Sequence, residues 1–133
     1  MADDKLRLPG GELEYAVLFS VCDLSVASVR DVHRKVGNVR GLAYTTIAKV
    51  LDRLHLKALV TRERKGTTLV YCPSVDRKVI ELARARASLS KLLASDRRPA
   101  MATLVEAMES IDATLIDELE RAVAARRSKP NGP

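Results

Sequence analysis

The sequence predicts a mainly α-helical protein with one small β-hairpin, and three observations lead to this class. Apolar residues recur at helical spacing through most of the 133 residues. Region 59–73 instead combines strand-forming residues with a turn glycine and a final proline. From residue 76 onward helix formers dominate, and no glycine occurs before Gly132. With only three Tyr and one Phe, the core must be filled by Leu, Val, Ile and Ala.

The first two elements are predicted to be helices. Residues at helical spacing place the first at about 11–22, and its inner face comprises Leu13, Ala16, Val17, Ser20, Val21 and Leu24. Residues 25–27 break the pattern and are expected to form a short extended piece. Ser28 is expected to N-cap the second helix, with Asp31 at its positive dipole end. Gly37 and Asn38 are expected to end that helix in the left-handed conformation.

The third predicted helix, within residues 43–54, is the best candidate for a functional element. Its apolar residues Ile47, Val50, Leu51 and Leu54 fall at i, i+3, i+4 and i+7 and form one buried stripe. The side chains left on its other faces are hydroxyls and cations, namely Thr45, Thr46, Lys49 and Arg53. A helix with this outer face suits the DNA major groove, although the same pattern also describes an ordinary amphipathic helix.

A β-hairpin is predicted directly after this helix. Residues 59–64 and 69–72 are rich in strand formers, Gly66 lies in the connecting turn, and Pro73 ends the second strand. Three helices followed by a hairpin, with basic residues on the third helix and the hairpin, indicate a winged helix-turn-helix. The predicted DNA-binding domain therefore spans residues 1–75.

The basic residues are concentrated in one window. The chain carries a net charge of +6. Residues 30–65 hold ten Lys or Arg against three acids, a net +7, so the rest is nearly neutral. A basic block inside a folded pattern indicates a polyanionic partner. The alternative is a solvated surface that happens to be rich in Lys and Arg.

Several classes of protein are not expected. No apolar run approaches the roughly 18 residues needed to span a bilayer, and the acidic N-terminus lacks a signal-peptide core, so a cytoplasmic protein is expected. Cys22 and Cys72 are expected to be reduced, buried thiols. His33 and His55 have no partner at ligand spacing, so no metal site is expected. Neither a phosphate-binding glycine loop nor a nucleophile with a base is found. We therefore expect no catalytic residues, no cofactor and no enzyme.

Residues 76–127 are predicted to be a helical dimerisation domain, followed by a disordered tail at 128–133. One helix is expected to end near Asp96, and Pro99 is expected to start a second that continues past Val123. The residues expected to pack against a second copy are Leu82, Leu89, Leu93, Leu104, Met108, Ile111, Leu115 and Leu119. Between residues 104 and 120 there are six acids and no Lys or Arg, so this surface should not face DNA. Alternatively, the helices fold back on the winged domain.

These residues resemble the penicillinase repressors, a bacterial family that includes the methicillin-resistance repressor and copper-responsive relatives. The most specific segment is Ala43-Tyr44-Thr45-Thr46 followed by Leu51-Asp52-Arg53-Leu54. The resemblance covers about residues 10–75, and its other matching positions are 13–18, 28–33, 42, 47, 57, 59–60, 62–64, 66, 71 and 73. Beyond residue 75 it holds only in length and helical character.

The resemblance implies a dimeric repressor on an inverted-repeat operator. In some members, it also implies release when a membrane sensor protease triggers cleavage in the C-terminal domain. That cleavage region would fall near 104–107, where the Asn-Phe pair of well-known members is missing. The cysteine cluster of the copper-responsive members is absent too. Ala58 stands where the family often has Gly, so the third helix ends without the residue that favours the left-handed conformation. Thr67 stands where an Arg often follows the wing glycine.

The predicted DNA contacts divide by role. Thr45 and Thr46 are expected at base edges or phosphates, and Tyr44 on a thymine methyl or sugar. Lys49 and Arg53 are expected to hold phosphates, with Arg53 also a candidate base reader. The wing residues Arg62, Arg64 and Lys65 are expected to follow the backbone or minor groove.

Two other functions are compatible with this fold. The main rival is a winged-helix module for protein–protein association without sequence-specific DNA binding. A one-component sensor with a small-molecule pocket ranks lower, because the chain offers little aromatic lining, and no small-molecule ligand is expected.

Overall fold

A computed structural model of the chain describes residues 6–94 and 96–129 and confirms a mainly helical fold with a small antiparallel sheet. The chain divides into two compact units, Met1–Arg86 and Ala87–Pro133. The elements are α1 (Glu12–Leu24), β1 (Ala27–Ser28), α2 (Val29–Val32), a π-helical stretch (His33–Gly37), α3 (Asn38–Arg40), α4 (Tyr44–Leu56), β2 (Val60–Lys65), β3 (Thr68–Pro73), α5 (Arg77–Ala94), α6 (Arg97–Ile111) and α7 (Thr114–Ser128). Most of the predicted C-terminal tail, residues 130–133, lies outside the described residues.

The core of the first unit is formed where α1 packs on α4 and β3. The apolar stripe predicted for α4 is buried, with Ile47, Val50, Leu51 and Leu54 at most 2% exposed. On α1 the buried face is rotated from the predicted one. Tyr15 and Leu18 are buried, whereas Leu24 remains 39% exposed.

The start of α5 belongs to this unit and is held on α1 by two arginines. Arg77 pairs with Asp23 at 2.6 Å and lies over the Phe19 ring at 4.5 Å. Arg84 pairs with Glu12 and lies over the Tyr15 ring at 4.0 Å. Ile80 between them is fully buried. Residues 77–86 therefore pack with the winged region. The domain boundary predicted between residues 75 and 76 concerns which part of the chain folds by itself, and it stays a prediction.

The structure corrects the predicted end of the second helix. The helical segment continues past Gly37 and Asn38 to Arg40, and Gly41, at φ 66°, is the left-handed residue that ends it. Gly37 has helical φ and ψ of −66° and −46°. A Cβ at Gly37 would overlap His33 Cδ2 and lie 3.1 Å from Ile47 Cγ1. The glycine serves close packing, a role that a sequence does not distinguish from helix termination.

The sheet has three antiparallel strands in the order β1-β3-β2. The predicted hairpin is present as β2 and β3, with Gly66 at φ 64° in the turn. The extended piece expected at 25–27 becomes β1, displaced to Ala27–Ser28, and Ala27 pairs with Tyr71 of β3. Ser28 also caps α2 as predicted, because its Oγ accepts from the Asp31 N–H and the Asp31 carboxylate accepts from the Ser28 N–H.

Helix α4 ends in a Schellman motif built on an alanine. The Ala58 N–H donates to the His55 carbonyl at 3.0 Å, and the Leu59 N–H donates to the Leu54 carbonyl at 3.0 Å. This geometry requires a left-handed residue, and Ala58 takes it with φ 61°. A non-glycine residue in the left-handed conformation costs roughly 1–2 kcal/mol of steric strain. The turn persists because the surrounding packing holds it in place.

The second unit contains two helices where a single continuous helix was predicted. α6 ends at Ile111 and α7 begins at Thr114. Between them Asp112 is extended, at φ −164°, and its Oδ1 accepts from the Thr114 N–H at 2.9 Å and from the Thr114 hydroxyl at 2.8 Å. The aspartate side chain thus competes with the helical backbone for hydrogen bonds. It breaks the helix at a point where the apolar residues keep their helical spacing.

Candidate nucleic-acid interface

The outward face of α4 carries fewer of the predicted base readers than the sequence indicates. Thr45 and Lys49 are exposed and lie opposite the buried stripe, one helical turn apart. Thr46 is half-buried on the flank of the helix, so its hydroxyl is less accessible than that of Thr45. Tyr44, the first residue of the helix, is 49% exposed. The residues best placed to meet a groove are therefore Thr45 and Lys49.

The cations of the basic window fall into two groups. Four of them contact a carboxylate within 4 Å, namely Lys35, Arg53, Lys57 and Arg62. The other six have no carboxylate partner among residues 6–94 and 96–129, namely Arg30, Arg34, Arg40, Lys49, Arg64 and Lys65. The second group makes no such close ion pair, although the charges of Arg34 and Arg30 still act on the nearby Asp31 carboxylate. The window is thus less uniform than its composition indicates.

Glu14 on α1 accounts for two of the paired cations. Its Oε1 lies 3.0 Å from Lys57 Nζ, and its Oε2 lies 3.8 Å from the Arg53 guanidinium. Glu14 Oε1 also accepts from the Gly10 N–H at 2.9 Å, and Lys57 Nζ donates to the Leu8 carbonyl. The Gly10 hydrogen bond, together with Lys57 and Arg53, lowers the pKa of Glu14 against the opposing effect of its burial. This cluster fixes α1 to the end of α4, so Arg53 is partly committed to structure.

The wing residues point to two different faces. Arg62 lies opposite Tyr71 in the register, and its guanidinium donates to Asp52 Oδ1 of α4 at 3.1 Å. Hydrogen bonds to Tyr71 and Asp52 raise the pKa of Arg62. Since side chains alternate along a strand, Arg64 shares this α4-facing side and Lys65 points to the other. The three predicted wing contacts therefore do not act as one surface.

A polar cleft of about 530 Å³ lies between the start of α2, the start of α4 and the wing. Its lining comprises Ser28, Val29, Arg30, Tyr44, Arg64, Thr67, Thr68 and Leu69. Of these, only Tyr44 and Arg64 were predicted as contact residues. The sequence offered charge at Arg30 and hydroxyls at Thr67 and Thr68, but nothing in their spacing shows that the wing and α2 converge.

His33 ties the two helices of the helix-turn-helix together. Its Nε2 lies 2.8 Å from the Leu42 carbonyl oxygen, and since that oxygen only accepts, the ring nitrogen must carry the proton. The Leu42 N–H in turn donates to the Gly37 carbonyl at 2.9 Å. The His33 ring also meets Tyr44 edge-on, with centroids 5.9 Å apart. His33 thereby fixes the start of α4, a role that the sequence did not reveal.

The remaining candidate sites add no chemistry to this surface. Among residues 6–94 and 96–129, no three His, Cys, Asp or Glu side chains cluster as metal ligands. Cys22 and Cys72 are free thiols, both half-buried, and burial raises the pKa of Cys22. No helix in the described part of the chain combines the length and apolarity needed to cross a bilayer.

Comparisons with known proteins agree with the resemblance seen in the sequence. The penicillinase repressor family model matches residues 10–125. The transcriptional regulator BlaI of Mycobacterium tuberculosis is 34% identical over 115 residues, which cover 86% of this chain and 82% of the relative.

Solved structures give weaker matches. Bordetella bronchiseptica BpsR, whose DNA binding is regulated by 6-hydroxynicotinic acid, is 16% identical, with 84% of this chain and 79% of that chain covered at a TM-score of 0.47. A MarR family regulator from Silicibacter pomeroyi is 17% identical, with 87% and 75% covered at a TM-score of 0.38.

Proposed function

The chain belongs to the penicillinase repressor family and is a transcriptional repressor, and from this premise we propose that it acts as a homodimer on an inverted-repeat DNA operator. Each protomer would insert α4 into a major groove. The two grooves would lie about one helical turn of DNA apart, roughly 34–36 Å. Repression would follow from occupancy of the operator.

The observation that carries this proposal is the outward face of α4 beside the wing. Thr45 and Lys49 project from the helix, and Arg64 and Lys65 extend from the hairpin without a carboxylate partner among the described residues. Hydroxyls can donate or accept at base edges, and unpaired cations hold phosphates. An accessible hydroxyl that can meet base edges, together with cations that can hold phosphates, suits sequence-specific groove binding.

The other predicted contacts take secondary places in this proposal. Thr46 would reach a phosphate or base edge only at the flank of α4, and Tyr44 would pack on a sugar or thymine methyl. To bind DNA, Arg53 would have to weaken or break its ion pair with Glu14, and Arg62 its ion pair with Asp52. We therefore expect Lys49, Arg64 and Lys65 to contribute more to affinity than Arg53 and Arg62.

Homodimerisation through the C-terminal helices is the second part of the proposal. Apolar side chains there stay accessible in the single chain, including Leu89 at 46% and Ile111 at 77%. Leu119 lines an apolar groove of about 480 Å³ between α6 and α7, together with Val105 and Val123. A second copy of the same region would cover these surfaces.

Release by regulated proteolysis, with a membrane sensor protease as partner, is the third part. The candidate region 104–107 lies inside α6. Proteases bind extended backbone, so cleavage there requires local opening of the helix. Following the chain by immunoblot during induction tests this part, and a repressor that stays intact while its genes are expressed would contradict it.

Selection from random duplexes tests the central proposal. A dimer that neutralises about 6–10 phosphates should lose affinity with salt at a log–log slope of roughly −5 to −9. The enriched inverted repeat should bind about 10³-fold or more tighter than random DNA. A protein-association module would instead give a shallow slope and enrich no sequence. Failure of a dimeric sample to enrich any inverted repeat would overturn the proposal.

A pair of threonine variants separates base reading from charge. Thr45→Ala should weaken binding to the enriched duplex by about 1–3 kcal/mol and leave random-DNA binding nearly unchanged. Thr103→Ala is the matched control, because Thr103 is also an exposed helical threonine but lies on α6, outside the proposed DNA-binding surface. Equal loss on both duplexes for Thr45→Ala would make Thr45 a phosphate contact.

A further inference from the structure

The cleft between α2 and the wing combines features of an anion site. Arg30 lines it from α2 and Arg64 from β2, so two arginines from separate elements border one space. Hydroxyl-bearing residues Ser28, Thr67 and Thr68 also line it. Its volume of about 530 Å³ exceeds that of one phosphate group and suits a sugar–phosphate segment.

Neither arginine has a carboxylate within 4 Å among residues 6–94 and 96–129, and Arg30 interacts with Asp31 only over a longer range. The carboxylate nearest to Arg30 in sequence belongs to Asp31, which accepts from the Ser28 N–H at 3.0 Å. That hydrogen bond is the main cause of the lowered pKa of Asp31, and it directs the carboxylate to the helix cap. Arg62, two residues from Arg64 on the same wing face, is by contrast paired with Asp52. Of the six window cations without a carboxylate within 4 Å among the described residues, Arg30 and Arg64 are the two that line the cleft.

The cleft also adjoins the proposed base-reading face. Tyr44 lines it and immediately precedes Thr45 on α4. A DNA strand whose bases meet Thr45 must carry its phosphates past the start of α4. Guanidinium groups bind phosphate oxygens through paired hydrogen bonds, which suits arginines better than lysines here.

We propose that this cleft is a clamp for the DNA backbone, in which Arg30 and Arg64 bind one strand from two sides and Thr67 and Thr68 supply hydroxyl contacts. The inference rests on the proposed function and deepens it, because it assigns Arg30, Thr67 and Thr68 to DNA binding. It gives the wing a defined task, namely to close one side of the backbone channel beside α4.

Arg30→Ala and Arg34→Ala form a matched pair for the test. Both residues are exposed arginines in segment 29–37, both lack a carboxylate partner among the described residues, and both lie near Asp31. Only Arg30 lines the cleft. The full-length protein is titrated with a 40-base-pair duplex of random sequence and with the enriched duplex, at several salt concentrations.

Arg30→Ala should weaken binding to both duplexes roughly tenfold and make the salt slope shallower by about 1 per protomer. Arg34→Ala should change affinity less than about twofold, as expected for a charge outside the contact. Arg30→Lys should restore the slope but only part of the affinity. Circular dichroism melts of each variant exclude unfolding as the cause.

A double variant tests whether the two arginines share a strand. Arg30→Ala with Arg64→Ala should lose less affinity than the product of the single losses, because residues that bind one group are coupled. Arg30→Ala with Lys65→Ala should show independent losses, since Lys65 points to the opposite wing face. Independent losses in both pairs would overturn the clamp.

The outcomes separate this inference from the proposed function. If wild-type protein enriches an inverted repeat but Arg30→Ala behaves like Arg34→Ala, only the clamp is overturned. If wild-type protein binds no duplex, both proposals fail. Calorimetric titration with inorganic phosphate alone is the last arm. Saturable phosphate binding that Arg30→Ala abolishes, with DNA binding unchanged, would reassign the cleft to a free anion.

Discussion

The two units of the chain use the same helical apolar spacing with opposite results. In the first unit the stripe on α4 is buried to 2% exposure or less. In the second, Ala100, at 6% exposure, is the only buried residue among the described residues from 87 to 129, and Leu119 and Ile111 remain accessible. A helical stripe therefore shows that a surface needs a partner, but not whether the partner lies in the same chain.

Matched leucine truncations give the largest expected contrast between the units. Leu54→Ala, in the buried stripe of α4, should lower the free energy of unfolding by about 2–5 kcal/mol, because it leaves a cavity in a closed core. Leu119→Ala, at 37% exposure, should leave unfolding of a monomeric sample almost unchanged but weaken dimerisation. Urea denaturation and sedimentation velocity measure the two quantities. If Leu119→Ala lowers the stability of the monomer as much as Leu54→Ala does, the proposed difference between the two units is contradicted.

Glycine substitutions test how tightly the first unit is packed. Gly37→Ala should destabilise by roughly 1–3 kcal/mol, since the added methyl meets the His33 ring and Ile47. Gly11→Ala is the control, because Gly11 has extended backbone and nothing within 4 Å of an added Cβ. Thermal melts of both variants provide the comparison. If Gly37→Ala has the same melting temperature as the wild type, His33 can move away from Gly37 at no cost, and the tight packing is contradicted.

The alanine that ends α4 allows a gain in stability. Ala58→Gly should stabilise the protein by about 1 kcal/mol, because glycine takes the left-handed conformation without the steric cost. Ala48→Gly, inside the same helix, should instead destabilise by about 1 kcal/mol. Urea denaturation of the pair checks both signs. Destabilisation by both substitutions would contradict the assigned backbone conformation of Ala58.

The smallest effect concerns pH and the Glu14 cluster. Its lowered pKa means that the unfolded chain binds the proton more readily than the folded one. The stabilisation is therefore present above the ordinary glutamate pKa and is lost as pH falls through that range towards the lowered value. Glu14→Gln should make the free energy of unfolding depend less on pH in this acidic range. Glu63→Gln should keep the wild-type dependence, because no ion pair of Glu63 is found among the described residues. If wild type and Glu14→Gln lose stability equally as the pH falls, the role assigned to Glu14 is contradicted.

Much of the first unit was predictable because its determinants are local. The stripe from Ile47 to Leu54, the Ser28 cap and the Gly66 turn each depend on a few neighbouring residues, and each is confirmed. Two local errors arose where one residue type serves two purposes. Gly37 packs against His33 although it was expected to end a helix. In the second unit, Asp112 accepts hydrogen bonds from Thr114 at the start of α7 although one continuous helix was expected there.

The sequence by itself determined the family, the order of elements and the total charge of the basic window, because these depend on residue type and short-range spacing. Only the tertiary structure decided which of those charges remain available. Glu14 lies 43 residues from Lys57 and meets it between α1 and the end of α4, and Asp52 of α4 meets Arg62 of the wing, ten residues further along the chain. The same folding brings Arg30 and Arg64 to one cleft from positions 34 residues apart. Electrostatic pairing acts over a few ångströms in space, so it follows the packing of helices and not the spacing along the chain.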